Sequence, residues 1–458
     1  MHGCMTRRFC LKAWLGITAC CAALESTAWS AQQYELRPSA LARNAFEVVS
    51  RVRIRGKFHT NSQQPAANGW EMTSQAQYRY RERRVPGIGR QTAAFRALRI
   101  YDKAESQVRV GKRTTALRLH PQLKTILASG QRHGVELFNS RHLFRREDLD
   151  LLSMPGDSLA VQSLLPPRKV AVGETWQTPS WSLQMLSALE TLLDGQLTCE
   201  LKSVSNGLAH VEFRGAAEGA TLGTKATLTF AGHWIFDLQS QFLKELQLTQ
   251  TEKRPVGSVS PGMEITATVN TEWSLSNQDA ALSDAAAAAY PRLPPESMRQ
   301  LSFVIPDNLR FRHSRDWHVN HRSRDLTILR LVQHGRLVAQ CDVQLLPAAQ
   351  PGQHISETRF ASDIQSSLGS RLDRIEKAAG EKTAVDKTVD GPLRFRFVAR
   401  GRDSGQRFHW FYYLFADRDG RQATLMFTVA DSELERFADQ DQSIAKSLEF
   451  QKASGPRR

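Results

Sequence analysis

From Ala45 onward the chain alternates. Arg51, Arg53, Arg55 and Lys57 are interleaved with Val52, Ile54 and Gly56. A period of two is strand geometry, because successive side chains on a strand point to opposite faces. On a helix the same residues would be smeared around the cylinder and no face would be apolar. The pattern therefore demands a sheet with one solvated face, and antiparallel pairing is the usual way to obtain one. Tyr78-Arg79-Tyr80-Arg81 repeats the alternation, and further strands are expected over 95–101, 106–110, 117–119 and 135–138.

Between 141 and 165 the pattern turns helical and irregular, closed by Pro166-Pro167. A helix is predicted over 180–193, with Trp181, Met185, Leu189 and Leu192 on one face. Its place between two groups of strands suits a cover over a ligand held by the sheet. Strands then resume. Asn206-Gly207 between two apolar runs is a hairpin signal, and 224–236, 242–251 and 263–273 complete a second antiparallel group. Residues 276–298 read as a linker. The tract Ala285 to Ala289 has little side chain to bury, and Pro291, Pro294 and Pro295 stop regular structure.

After the linker the spacing changes. Strands over 326–333 and 337–346 are joined by His334-Gly335. Phe360, Ile364 and Leu368 recur every four residues on one helix face, ended by Gly369. Strands follow over 393–399 and 408–415, and Asp419-Gly420 turns the chain into 423–429. Ser432 and Glu435 have capping-box spacing, with Leu434, Phe437, Ile444 and Leu448 on one final helix. Trp317, Phe360, Trp410, Tyr412 and Phe437 are expected in a single core. The fold class predicted is α+β: a large antiparallel β-sheet domain with a few helices (32–275), then a small α/β/α sandwich (299–452). These features, Trp317 near the start, the strand pair around Gly335 and the helices of Phe360 and Phe437, resemble the Mog1/PsbP-type sandwich. That family is functionally mixed and mostly non-catalytic, so the resemblance implies binding or assembly. Residues 32–275 resemble exported bacterial β-rich proteins with a Val-Gly-Glu-Thr-Trp turn, here at residues 172–176, and that likeness implies no activity.

Residues 1–31 have the order of an export signal: Arg7, Arg8 and Lys12, an uncharged apolar run from Ala13 to Leu24, then small residues up to a cleavage point before Ala31. Three routes fit this segment. It is an ordinary secretory signal, a twin-arginine signal through Arg7-Arg8, or a lipoprotein signal in which Ile17-Thr18-Ala19-Cys20 resembles a lipobox and Cys20 is lipidated. Periplasm or cell envelope is the expected location. Four of the six cysteines fall within this segment, leaving Cys199 and Cys341, which read as two separately buried thiols, with a bridge as the alternative.

The net charge is +15, of which residues 1–31 supply +2. Such a balance favours anionic partners, here an anionic lipid or glycan of the envelope rather than a specific nucleic acid. The strongest ligand-binding candidates are the arginine ladder (Arg51, Arg53, Arg55, Arg79, Arg81) and Trp181 on the covering helix. The ladder also reads as a plain solvated face. His313, His318 and His321 lie among five arginines, which would repel a cation, so no metal is expected there. Glu147, Asp148 and Asp150 read as a solvated helical turn. Gly87-Ile88-Gly89 lacks the third glycine of a dinucleotide loop. No HExxH, GxSxG, P-loop or CxxC pair occurs, and no cofactor is implied. The function expected is a non-catalytic envelope protein that binds or assembles, toward an amphiphilic or anionic ligand or a protein partner. The alternatives are a hydrolase with an unrecognised site and a structural subunit without a ligand.

Overall fold

The computed structural model describes residues 32–38, 45–59, 69–87, 89–276, 279–291, 294–306, 308–377 and 392–451. Residues 1–31, where the export signal and a lipidated Cys20 are expected, lie outside these residues.

The alternating stretch forms the strand Ala45–His59 near the middle of a twelve-stranded antiparallel sheet. From there the chain steps to one edge through Trp70–Val85, Arg96–Val110, Thr125–Gln131 and Gly134–Phe138, with Arg113–Arg118 paired to the far half of Arg96–Val110. It crosses to the other edge through the helices α1 (Arg146–Leu152) and α2 (Ser158–Gln162) and the strand Thr175–Gln177. After α3 (Ser180–Ser187) it returns through Thr191–Ser205, Leu208–Thr221, Thr224–Asp237, Phe242–Arg254 and Gly262–Ser276. The last of these pairs with Ala45–His59, which joins the two meanders. Asn206 (φ 52°) and Gly207 (φ 75°) form the tight turn that their sequence announces.

One face of this sheet is apolar and curls around α1–α3. Val48, Val52, Leu228, Trp234 and Leu246 share a core with Leu149, Leu152, Leu159, Met185 and Leu186 of the helices. The other face carries Arg51, Arg53, Arg55, Glu212, Thr227 and Asn270, all exposed. Polar outside and apolar inside is the inverse of a membrane-spanning barrel, whose outer band is apolar. Among the described residues no helix is long and apolar enough to cross a membrane.

The linker expected at 276–298 is partly docked. Leu282 and Tyr290 are buried with Leu98, Ile100, Leu127 and Phe138 on the second face of the sheet edge. The Tyr290 hydroxyl donates to the Thr125 carbonyl at 3.0 Å. The alanines have little to bury, as expected, but these two flanking side chains anchor them.

The rest of the chain corrects the predicted fold class. It is again mostly strand, and among the described residues no α/β/α sandwich is evident. A seven-stranded antiparallel sheet runs in the order Trp317–Arg322, Leu326–Gln333, Arg336–Leu346, Gln422–Ala430, Gln406–Ala416, Leu393–Asp403, Leu372–Lys377. A three-stranded sheet (Leu301–Ile305, Leu309–His313, Glu449–Phe450) stands beside it. The helix Glu357–Leu368 has twelve residues, and the single final helix expected from Leu434 to Leu448 is two short ones, Leu434–Phe437 and Gln440–Lys446. Ala438 breaks it with φ 49°, and apolar spacing cannot reveal such a break. The expected single core is also two, one on each face of the sheet. Phe360, Trp410 and Tyr412 occupy one side, and Trp317 and Phe437 the other.

The first region also contacts the second through connecting segments and the small sheet. Phe144 forms a parallel bridge to Leu301, Arg315 donates to the Leu137 carbonyl at 2.6 Å, and Arg330 donates to the Ser258 carbonyl at 2.6 Å.

Candidate functional site

Strand register arranges the concave face in rows across neighbouring strands. The deepest row useful here is Leu246, Thr271, Ser50, Tyr78 and Ala104. It is tied shut: the Ser50 and Thr271 hydroxyls bond at 2.9 Å, and the Tyr78 hydroxyl donates to the Leu151 carbonyl at 2.7 Å. The next rows are Leu248, Val269, Val52, Ala76, Ser106 and then Gln250, Ala267, Ile54, Ser74, Val108. Side chains shrink here, at Ala76, Ser74, Ser106 and Ala267, while α1 ends at Leu152 and does not fill the space. A cavity of about 680 Å³ remains between these rows and the ends of α1 and α3. That size falls in the range of small-molecule sites, and the lining is mainly aliphatic with Met72, Met154, Met185 and Met263.

A few polar groups interrupt the lining. Gln250 is 7% exposed, and its Oε1 has no protein partner. Glu252 and Arg254 pair at 3.4 Å. Burial lowers the Arg254 guanidinium from its ordinary value, with Glu252 opposing. Asp150 lines the cavity and is exposed. Partial desolvation by the surrounding protein pushes its carboxyl up to about 6, against the nearby Arg146 and with Glu147 adding to the rise.

Under α2 lies a buried ionic cluster whose Asp157 borders the cavity. Arg99, 1% exposed, donates to both carboxylate oxygens of Asp157 (2.8 and 2.7 Å), to Glu82 (2.8 Å) and to the Ser158 hydroxyl oxygen (2.9 Å). The Ser158 hydroxyl donates to Glu82 at 2.5 Å, and Arg84 pairs with the other Glu82 oxygen at 2.9 Å. Burial alone would raise the Asp157 carboxyl, but the Arg99 guanidinium holds it below its usual range. Asp157 is also the N-cap of α2, accepting from the Leu159 N–H. The cluster fixes the helix to the sheet. Ser158 is fully buried and presents no hydroxyl to solvent.

The arginine ladder does assemble on adjacent strands of the outer face, as the alternation predicts. Most of it is paired: Arg51 with Glu272 at 3.5 Å, Arg79 with Glu47 at 2.9 Å, and Arg81 with Asp102 at 3.2 Å and with Asp279. Arg53 lies opposite Gln75 and Thr268, and Arg55 opposite Thr73 and Thr266. A depression of about 210 Å³ lies at Arg51 and Arg79 of the ladder. Trp181 is half-buried against Phe95, centroids 6.0 Å apart, and does not line the cavity. Met185 and Leu186, further along α3, do so instead. The helix predicted over 180–193 ends at Ser187, capped by Ala188 with φ 55°, and Leu192 belongs to the next strand.

The acidic turn is not a solvated face throughout. Glu147 and Asp150 are exposed as expected, with Asp150 bordering the cavity, but Asp148 is 7% exposed and accepts the Arg145 N–H at 2.9 Å. His313 is buried beside Phe303 and Phe311, and burial lowers its imidazole to about 4. Among the described residues no group of three or more His, Cys, Asp or Glu side chains is placed to hold a metal. Cys199 and Cys341 are separate buried thiols. Sequence reasoning missed the Glu82–Arg99–Asp157 cluster. Its one signal is Arg96 and Arg99 inside the otherwise apolar run 95–101, where a charge has to find a partner if both faces are covered.

No family model and no curated protein matches the chain. Among solved structures it is weakly similar to DynF from the dynemicin biosynthesis pathway of Micromonospora chersina, at 8% identity over 53% of this chain and 86% of that one, with a TM-score of 0.15. A BenF-like porin from Pseudomonas fluorescens Pf-5 aligns at 4% identity over 84% and 98% of the two chains, TM-score 0.11. A deletion mutant of the TodX monoaromatic hydrocarbon channel aligns at 10% identity over 87% and 94%, TM-score 0.09. Likenesses this weak carry no argument about fold or function.

Proposed function

We propose that this chain is an exported, non-catalytic envelope protein that holds one amphiphilic molecule under its curled sheet. The observation that carries this reading is the cavity of about 680 Å³, walled by aliphatic and methionine side chains and interrupted by Gln250, Glu252, Arg254 and Asp150. An apolar space of this size takes the hydrocarbon part of a ligand, and the few convergent polar groups orient its head. The unpartnered Gln250 Oε1 offers an acceptor to a hydroxyl or amide donor. The basic, apolar and small order of residues 1–31 supports export.

The test is uptake of a fluorescent long-chain fatty acid by the mature chain in detergent-free buffer, with native mass spectrometry for the ratio. One probe per chain is expected. Ser74→Phe and Ala76→Leu, which add bulk inside the cavity, should reduce uptake without lowering the melting temperature. If the parent chain takes up no apolar probe, or if the filled variants bind as well as the parent, the reading fails.

A further inference from the structure

The concave face does not stop where the cavity stops. Its outermost row is Arg254, Met263, Phe58 and Trp70, each the cross-strand partner of the next. The period of two puts Phe58 and Trp70 on the same face as Ile54 and Met72 of the cavity wall. Trp70 is 54% exposed. An apolar track thus runs from the cavity out past the end of the sheet and ends on an indole in solvent.

A hairpin lies against that indole. Gly111 has φ 54°, and a Cβ there would sit 3.1 Å from the Trp70 ring. Its N–H donates to the Glu71 carbonyl at 2.9 Å. The turn presents Lys112 and Arg113, both exposed. Neither has a carboxylate partner among the described residues, and Arg109 donates only to the Gly111 carbonyl, at 3.2 Å. Nearby cations are neutralised: Lys57 by Glu71 at 3.3 Å, Lys253 by Glu264 at 3.7 Å and Arg254 by Glu252. The unpaired charge at this rim is therefore positive. On the opposite side of the same rim the second sheet leaves no room. Arg330 binds the Ser258 carbonyl there, and a Cβ at Gly223 would sit 2.7 Å from the Gly335 carbonyl oxygen.

An exposed tryptophan at the end of an apolar track, flanked by unpaired cations, has the chemistry of the lipid–water interface. The indole prefers the headgroup level, and the cations meet anionic headgroups. We propose that this rim, with Trp70 and Phe58 at its centre and Arg109, Lys112 and Arg113 beside them, docks on an anionic lipid bilayer, so that the cavity opens onto the membrane and exchanges its amphiphile there. The exchange rests on the carrier function proposed above. The docking does not.

The experiment is vesicle flotation of the mature chain, with phosphatidylcholine vesicles against phosphatidylcholine mixed with phosphatidylglycerol. The parent should float with the anionic vesicles and be released as salt is raised. Trp70→Ser should weaken flotation by about tenfold, and Lys112→Gln with Arg113→Gln should abolish the preference for anionic vesicles. These side chains are exposed, so unchanged melting temperatures verify that the variants fold. Uptake of dissolved fatty acid without vesicles should be the same in all of them. Equal flotation on neutral vesicles, or variants that float like the parent, would overturn the docking. So would a rim that self-associates in sedimentation and does not float. A parent that takes up dissolved probe but never floats sinks the docking alone, and one that floats but takes up no probe sinks the carrier reading alone.

Discussion

The strand Gln406–Ala416 in the second sheet buries both of its faces, whereas Ala45–His59 in the first buries one. In the second sheet Trp410, Tyr412 and Leu414 pack under the helix Glu357–Leu368, while Tyr413 and Phe415 pack on the other side with Phe427 and Phe437. Large rings fill each layer. In the first sheet the outer face is left to water, and the inner face meets helices too short to cover it. Where its side chains shrink to Ala76, Ser74 and Ala267, space remains. Both sheets follow the same alternation. What separates a solid core from a container is side-chain volume on the inward positions and the length of the covering helices.

This contrast is open to direct attack. The largest effect should come from the solid region. Phe437 is fully buried, with its ring centroid 5.5 Å from Phe411 and 5.9 Å from Phe427. Phe437→Ala should cost about 3–5 kcal/mol, read by chemical denaturation. A loss under about 1 kcal/mol would mean that this region is not close-packed. A similar loss, also about 3–5 kcal/mol, is expected for Asp157→Asn in the first region, because Arg99 would keep its charge without its main partner. The sharper comparison uses one chemical change in both sheets. Ala399→Leu in the second sheet overpacks a fully buried position and should cost about 1–3 kcal/mol. Ala76→Leu in the first enters the cavity and should cost little. Equal losses at the two sites would dissolve the distinction between container and solid.

The last contrast is in pH. His313, beside the second sheet, has a folded value of about 4, below its ordinary 6.5. The unfolded chain therefore takes up this proton first, and its contribution to stability falls as pH drops from about 6.5 toward 4. Asp150, at the cavity, has a folded value of about 6, above its ordinary 3.8. Here the folded state holds the proton longer, and the contribution declines as pH rises from 3.8 through 6. His318, lowered to about 4 as well, shares the first slope, so melting curves across this range should lose part of the first slope in His313→Gln and the second in Asp150→Asn. If Asp150→Asn leaves the profile unchanged, water in the cavity solvates that carboxylate as bulk water would.

The legible parts of this molecule are those that rest on local chemistry. The alternation around Arg53 gave the strand and its outward face. Asn206-Gly207 and His334-Gly335 gave turns with the positive φ that such pairs favour. Phe360, Ile364 and Leu368 gave the buried face of the longest helix. The illegible parts depend on what meets what. Trp181 looked like the ligand-facing residue of its helix, but facing the concave sheet brought Met185 and Leu186 to the cavity instead. Phe437 and Phe360 both read as core, and only the sheet between them makes those cores two. Arg99 reads as one more strand cation until Asp157, 58 residues away, is brought against it. The final helix failed at Ala438 because its backbone reverses there with no glycine or proline to announce it.

The ionic cluster under α2 bears on the kinetics of any guest. A cover that swings open must lift Asp157 and Ser158 away from Arg99, leaving Arg99 and Arg84 to share Glu82 and one buried positive charge without compensation. A loss of that kind costs about 3–5 kcal/mol, which holds an opened form below about one molecule in a hundred, since each 1.4 kcal/mol is tenfold in population. Traffic through a moving helix would then be throttled by a step unrelated to the guest. The open strand ends carry no such toll, so dwell time in the cavity should track how well the guest fits its walls and not how often the helices let go.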